Sequence, residues 1–287
     1  MVNPGDPRNA LDAIGQLPDD EIDVAQTALQ FARIDLPDAD TGPALAHLSL
    51  IAQEAVATAR EMASRTAPAR AGALSKLLGG FGYAGDTAAY DDPANANLLR
   101  VIERRRGLPV ALGVLWLHAG RAMGWPVHGL DFPGHFLLSV GGEPAPRVPR
   151  SASPGRVVLD VFAGGMPVDN AAMLALLRRT HGPQAELHPG MLAPMPVRAV
   201  LLRLQRNLQG RRLARGDSAG ALACVEDMIR IDPDTVALWQ DAALLNTRLG
   251  RATRALECHE RVLALVPEGA VARLTQRAMD ELRAQQK

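Results

Sequence analysis

The C-terminal third of this chain repeats with a period of 34 residues, and this period constrains the fold more than any other feature of the sequence. A repeat of that length is one helical unit, which buries its apolar face only against neighbouring copies. Segment 197–287 is therefore predicted to be an all-α array of stacked helix pairs. The residues that recur at this spacing are Gly216 and Gly250, Ala221 and Ala255, Cys224 and Cys258, and Pro233 and Pro267.

The spacing and the recurring residue types are those of tetratricopeptide repeats. The earlier repeat, which begins near Gln205, has this glutamine where the repeat pattern places a tryptophan. The stretch from Val271 to the end is expected to form a capping helix. One full repeat fills its consensus positions with Trp239, Gly250, Ala255 and Pro267.

The chain has two cysteines, too few for a disulfide scaffold. Because Cys224 and Cys258 occupy equivalent places in two stacked repeats, they are predicted to be small core residues that lie too far apart to form a disulfide. Residues 1–18 are polar and lack the basic start and apolar stretch of a signal peptide, and no apolar run is long enough to span a membrane. We therefore expect a flexible leader over residues 1–18 and a cytoplasmic protein.

The net charge of the chain argues against two classes of partner. Lys and Arg together number 31, as do Asp and Glu, so the formal net charge at pH 7 is zero. Proteins that bind nucleic acid or anionic membranes carry a basic surface, which this balance does not indicate. We expect neither nucleic acid nor a membrane among the partners.

Residues 19–196 are predicted to be a mainly helical α+β domain with a small sheet, because helical periodicity precedes a group of short apolar strands. A proline-rich stretch over residues 183–196 marks the boundary before the repeats. The predicted strands are Val127–Asp131, His135–Val140 and Arg156–Phe162.

The stretch from Pro109 to Met123 is apolar nearly all round, which is typical of a helix buried in a larger domain. After it come a predicted strand that begins at His135 and another that contains Asp160. A helix start, then a histidine, then an aspartate is the order of a Cys-His-Asp site in transglutaminases and papain-like enzymes. Yet residues 101–138 contain no Cys, Ser, Thr, Tyr or Lys, and Pro109 occupies the first helical turn, where the thiol would lie.

Five stretches of the chain resemble the SirB-type bacterial proteins, which join a transglutaminase-like (papain-like) domain to C-terminal tetratricopeptide repeats. The resemblance implies that Pro109 lies at the nucleophile position, that His135 matches the catalytic histidine, and that Asp160 matches the aspartate that orients it. It also implies that the small sheet is antiparallel. The stretches are Ala28–Asp38, Tyr90–Asn95, Arg105–Leu112, Leu130–Phe136 and Leu159–Gly165.

The sequence departs from the SirB-type pattern at positions that would line the cleft. Ala96 and Ala111 replace serines, and the Asp-Pro-Phe-Asn-Gly-Gly pattern becomes Asp-Val-Phe-Ala-Gly-Gly over residues 160–165. These changes remove polar groups and weaken the transfer of an enzymatic activity to this chain.

Two functions remain open. Acyl transfer needs a thiolate, a base and an orienting carboxylate, and without the thiol there is nothing to acylate. The missing nucleophile favours a pseudoenzyme that serves as a binding or scaffold protein, with repeats that contact a protein or peptide. The alternative is a hydrolase or peptidase-like enzyme in which His135 and Asp160 activate water directly.

No cofactor or metal is expected. The spacings of His118, His128 and His135 match no common zinc motif, and no second cluster of ligands supports them. Their interpretation as ordinary structural histidines is therefore preferred.

Overall fold

The computed structural model describes residues 5–142 and 155–285, and its contacts divide the chain into two compact units. We call Pro18–Leu204 the sheet unit. The second, the repeat unit, combines Met1–Leu17 with Gln205–Lys287. Residues 141–155, which are rich in proline and glycine and are expected to form a loop, lie for the most part outside the described residues.

Helices dominate both units. In chain order they are α1 (Pro7–Gly15), α2 (Val24–Asp35), α3 (Gly42–Glu61), α4 (Ala67–Gly80), α5 (Leu98–Arg104), α6 (Pro109–Ala122), α7 (Asn170–His181), α8 (Val197–Ala214), α9 (Ser218–Ile231), α10 (Val236–Arg248), α11 (Ala252–Leu265) and α12 (Gly269–Gln285). Short 3-10 helices cover Asp19–Glu21, Pro93–Ala96 and Pro189–Leu192.

The strands lie in the sheet unit and form two sheets. The strands are β1 (Ala84–Gly85), β2 (Arg106–Gly107), β3 (Val127–Leu130), β4 (Leu137–Gly141), β5 (Arg156–Asp160) and β6 (Met166–Pro167). The larger sheet has the order β3-β4-β5-β6 and is antiparallel throughout, whereas β1 and β2 pair in parallel. The α+β class predicted from the sequence is confirmed.

The boundaries of the predicted strands differ from the observed ones by one or two residues, and one of these differences matters for the site. His135 was expected on a strand, but β4 begins only at Leu137, and His135 lies in the preceding turn. Gly134 adopts the left-handed conformation there, with φ +69°, and the amide of His135 donates to the carbonyl of Phe132. The positive φ at Gly134 breaks the extended backbone and separates His135 from the strand.

Helix α6 is buried on nearly every side, as its apolar sequence predicts. It packs closely against its neighbours because, at two contacts, a glycine has no side chain and an aromatic ring occupies the free space. A Cβ on Gly113 would lie 2.2 Å from a ring carbon of Phe136, and one on Gly165 would lie 2.0 Å from the ring of Trp116. The helix is thereby fixed against the turn before β4 and the loop after β5.

Helix α8 contains the boundary between the two units, eight residues later than the predicted boundary at residue 197. Its first half belongs to the sheet unit because its groups contact that unit. The carboxylate of Asp19 accepts hydrogen bonds from the amides of Val197 and Arg198, at 2.7 and 2.8 Å. The methyl group of Val200 lies against Gly129 in β3.

The repeat unit contains the predicted helix pairs, with α9 to α11 and the second half of α8 as the repeats and α12 in the place of the capping helix. Residues Pro7–Gly15 also belong to this unit, so the prediction of a flexible leader is wrong for them. They form α1, which is capped by Asp6 and packs against α9. Within the described part of the chain, no helix has an apolar stretch long enough to span a membrane.

Candidate functional site

The structure brings His135 and Asp160 together. Nε2 of His135 lies 3.0 Å from Oδ1 of Asp160, and each side chain is about 15% exposed or less. The distance is that of a hydrogen bond, but the ring is turned so that its N–H does not aim at the oxygen, and Nε2 has no other partner. Nδ1, the second ring nitrogen, is neither bonded nor sealed from solvent.

Asp160 is held as a carboxylate by its surroundings. Burial acts to raise its pKa, but the contact with His135 and hydrogen bonds from two amides outweigh burial, so the pKa is lowered. The amides are those of Phe162 and Ala163, which donate to Oδ1 at 2.9 and 3.3 Å. Asp160 therefore stays ionised at neutral pH and faces the ring of His135.

Arg203, which the sequence did not single out, fixes the backbone of the turn that carries His135. Its guanidinium donates to the carbonyls of His135 and Phe132 at 2.7 and 3.2 Å, and it pairs with Asp131 at 2.5 Å. It also lies over the ring of Phe136, 5.7 Å from the ring centroid. Arg203 is 68 residues from His135 in the chain and looks like a repeat-helix residue, so no local signal could have indicated this role.

One aromatic ring adjoins the histidine, and a second packs against the first. The ring of His135 meets that of Phe162 edge to face, with centroids 6.5 Å apart, and Phe162 contacts Tyr90 in the same way at 5.8 Å. A Cβ on Gly85 would lie 2.5 Å from the Phe162 ring, so the glycine in β1 leaves room for it. These rings place His135 beside an apolar wall rather than a set of polar donors.

Pro109 is buried at the first position of α6 and Leu108 is its N-cap. Proline suits this position because its missing N–H would have no partner in the helix and its fixed φ is helical. Gly113, one turn later, touches Phe136, the neighbour of His135. The N-terminal half of α6 therefore faces the turn that carries the histidine, and the residue at its start has no nucleophilic group.

The stretch Tyr90–Asn95 forms part of the frame for the start of α6. The carbonyl of Asn95 accepts a hydrogen bond from the amide of Leu108 at 2.9 Å, and its side chain donates to the carbonyl of Ala89 at 2.6 Å. Arg104 pairs with Asp86 and Asp92 at 2.8 and 3.0 Å. These contacts connect the stretch to α5 and α6 and give it a structural role.

The loop Asp160–Gly165 depends on its glycines. Gly165 has φ +80°, and its amide donates to the carbonyl of Asp160 at 2.8 Å, which closes the loop. Ser75 in α4 donates to the carbonyl of Gly165 at 2.9 Å. The loop is held on both sides and presents the carboxylate of Asp160 to His135.

The other reactive groups lie elsewhere. Cys224 and Cys258 are not joined in a disulfide and are buried in α9 and α11 of the repeat unit, and burial raises the pKa of Cys258 to about 11. Nε2 of His118 lies 2.9 Å from the carbonyl of Leu48, which accounts for that residue structurally. Within residues 5–142 and 155–285, no group of three or more metal-binding side chains comes together.

Comparison with known proteins gives two family matches. The transglutaminase-like superfamily matches residues 43–206, and the tetratricopeptide repeat family matches residues 208–280. The two matches meet within α8, close to the boundary between the sheet unit and the repeat unit.

Several bacterial proteins are similar along most of the chain. A UPF0162 protein from Xylella fastidiosa strain Temecula1 is 30% identical over 87% of this chain and 86% of its own length. A UPF0162 protein from Pseudomonas aeruginosa is 31% identical over 79% of this chain and 78% of its own length. A crystal structure of menin covers 89% of this chain and 69% of its own at 10% identity, with a TM-score of 0.41, which informs neither fold nor function.

The family match covers more than half of the chain, and the Xylella fastidiosa relative aligns with it over 256 residues. The chain belongs to the transglutaminase-like superfamily and, within it, to the UPF0162 proteins.

Proposed function

We propose that this chain is a non-catalytic binding or scaffold protein, built on a transglutaminase-like domain that has lost its nucleophile. The proposal rests on Pro109, which is buried at the first position of α6. The resemblance to transglutaminases places the reactive thiol at this position. A prolyl ring has no group that can attack a carbonyl carbon.

The remaining thiols do not replace the missing one. A catalytic cysteine is a thiolate with a lowered pKa beside a base. Cys224 and Cys258 are buried in the helices of the repeat unit, and burial shifts the pKa of Cys258 upward to about 11. Both are therefore suited to packing rather than to nucleophilic attack.

On this proposal, His135 and Asp160 are kept as a structural pair. A polar ring that is mostly buried costs free energy unless its surroundings compensate it, and the ionised carboxylate of Asp160, 3.0 Å from Nε2, contributes that compensation electrostatically. Asp160 also caps the amides of its own loop. The pair thus stabilises the turn and the loop on which it lies.

The repeat unit supplies the binding surface of the proposal. Two of its leucines, Leu244 in α10 and Leu274 in α12, are 63% and 64% exposed, the largest exposed fractions among the large apolar side chains of the described chain. They border a cavity of about 360 Å³ that is lined by both helices and by His259 of α11. Exposed apolar groups around a concavity are typical of a protein or peptide contact.

The test is binding by the full-length chain. Partners are captured from a native lysate, and a purified partner is then titrated against the wild type and three variants. The double variant Leu244→Asp/Leu274→Asp should lose binding, whereas His135→Ala should keep it. Leu45→Asp, which changes a leucine that is 39% exposed in the sheet unit, is the matched control and should also keep it.

A second candidate function is favoured by one observation. Nε2 of His135 lies 3.0 Å from an ionised carboxylate and the side chain keeps 13% of its surface exposed, so Nδ1 is the ring nitrogen left to accept a proton from water. Such a hydrolase would release an acid and an amine or alcohol without a covalent intermediate. Turnover that disappears in His135→Ala would replace the scaffold proposal with this one.

A further inference from the structure

Helix α1 contacts α9, within the repeat unit, through two charged residues on one face. Nε of Arg8 lies 3.2 Å from Oδ1 of Asp227 in α9. Four residues further along α1, both carboxylate oxygens of Asp12 accept from Nη1 of Arg230, at 2.8 and 2.7 Å. The two pairs alternate in sign, so they fix both the position and the direction of α1 along α9.

The same face of α1 is complementary in shape to the surface of α9. Gly15 approaches the backbone of α9 so closely that a Cβ would lie 2.2 Å from the carbonyl oxygen of Arg230. Leu11, at the centre of the face, is fully buried. Residues 8, 11, 12 and 15 follow the i, i+3, i+4, i+7 spacing of one helix face, so this surface of α9 accepts a helix with small, apolar and charged residues in a defined order.

The buried carboxylate of Asp227 determines which kind of helix can bind to this surface of α9. Its side chain is 5% exposed, and its ionic contacts are Arg8 at 3.2 Å and Arg230 at 4.0 Å. A buried carboxylate that loses a close cation is strongly disfavoured. The α9 surface therefore favours a helix that brings a cation to Asp227.

Helix α1 and the residue that follows it also form part of the wall of a cavity in this unit. Asp12 and Gln16 line a cavity of about 860 Å³ together with groups of α9, α10 and α11, among them Trp239 and Arg254. A helix of nine residues is too short to be stable in water by itself. Its helical structure therefore depends on docking, and a released α1 would no longer line this cavity.

We infer that the surface of α9 around Asp227 and Arg230 is a helix-binding site, and that its occupant is helix α1 of the same chain, held as an exchangeable ligand. The recognised pattern is Arg-x-x-Leu-Asp-x-x-Gly, over Arg8–Gly15. This inference concerns the repeat unit alone and holds whether or not the sheet unit is catalytic.

The direct test measures binding of a labelled peptide, residues 5–17, to the full chain from which residues 1–17 have been deleted. The peptide should bind the truncated chain saturably and bind the intact chain at least about tenfold more weakly, because α1 already fills the site. Arg230→Asp in the truncated chain should weaken the peptide about tenfold, and a peptide with Asp12→Arg should recover most of that loss. Equal binding to the intact and truncated chains would overturn the inference.

A second measurement keeps the inference testable if the truncated chain does not fold. In the full chain, Gly15→Ala places a methyl group against the Arg230 carbonyl, whereas Gly72→Ala in α4 has open space. Hydrogen exchange of residues 7–15 should quicken at least about tenfold in the first variant and stay unchanged in the second. Unchanged exchange in Gly15→Ala would refute the docking geometry. A wild-type dimer that exchanges α1 between copies would refute occupation by the same chain.

Discussion

Arg203 donates a hydrogen bond of 2.7 Å to the carbonyl oxygen of His135, so a helix near the end of the sheet unit holds the turn that carries the histidine. The same guanidinium also bonds the carbonyl of Phe132 and the carboxylate of Asp131. The position of His135 is thus set by its backbone as well as by its contact with Asp160.

Replacement of Arg203 by methionine should lower the free energy of unfolding by about 1–3 kcal/mol, because two buried carbonyls lose their donor. Urea unfolding of the full chain measures the change. Arg206→Met is the matched control, since Arg206 lies on the same helix but makes only an exposed ion pair with Asp241, and it should cost less than about 1 kcal/mol. Equal effects of the two substitutions would mean that the turn does not depend on Arg203.

The lowered pKa of Asp160 predicts how its contribution varies with pH. A carboxylate whose pKa is depressed on folding stabilises the native state above its ordinary pKa, and this stabilisation is lost as pH falls through the depressed value. Asp160→Asn should therefore cost most at neutral pH, and its cost should shrink below about pH 4. Unfolding at pH 3, 4 and 7 measures the difference, and a cost that does not change with pH would contradict the assignment.

The contribution of Asp227 to folding stability should vary with pH in the opposite direction. Burial raises its pKa to about 6, although Arg8 and Arg230 act to lower it, and Glu226 nearby acts to raise it further. Between about pH 4 and 6 the folded chain binds the proton more tightly than the unfolded chain, so this group's contribution to stability falls as pH rises through that range. In Asp227→Asn the fall should be absent. Asp280→Asn, at an exposed position, should follow the wild type.

Alanine substitutions at Gly164 and Gly165 distinguish the cost of a strained backbone from the cost of a steric clash. Gly164 and Gly165 both have positive φ, but only Gly165 would clash with Trp116 if it had a Cβ. Gly164→Ala should therefore cost about 1–2 kcal/mol for its left-handed backbone. Gly165→Ala should cost more than about 3 kcal/mol, because α6 must also move. Similar melting temperatures for the two variants would show that the contact with α6 is loose.

The repeats and the buried helix could be predicted because their signals are local. The 34-residue period and the unbroken apolar character of α6 are both visible in the residues themselves. The approach of His135 to Asp160 followed from their order in the chain. Its finer geometry did not, because the position of His135 depends on the left-handed Gly134 and on Arg203, 68 residues away.

The N-terminal helix α1 is a second feature that local sequence patterns do not predict. Asp6 and Pro7 are ordinary signals for the start of a helix, and residues 8, 11, 12 and 15 follow the spacing of one helix face, yet a stretch of nine residues is too short for this local pattern alone to establish a helix. What makes the segment helical is its contact with α9, more than 200 residues later in the chain. Long-range contacts of this kind leave no mark in a local pattern.

A thiol introduced at position 109 tests where the nucleophile would lie. If the start of α6 faces His135, then Pro109→Cys should have a thiolate favoured by the helix N-terminus and by the histidine. We expect it to be alkylated by iodoacetamide at least about tenfold faster than Val110→Cys, a buried neighbour that serves as control. Alkylation at equal rates would place the lost nucleophile elsewhere.

The most direct test of the central claim is a turnover measurement on the wild-type chain and His135→Ala with amide, ester and thioester substrates. Product release is followed by chromatography, and covalent adducts are sought by intact-mass spectrometry. The account predicts no acyl adduct and no turnover above background in either protein, together with a loss of stability of about 1–3 kcal/mol in the variant. Reproducible turnover by the wild type that disappears in His135→Ala would contradict it.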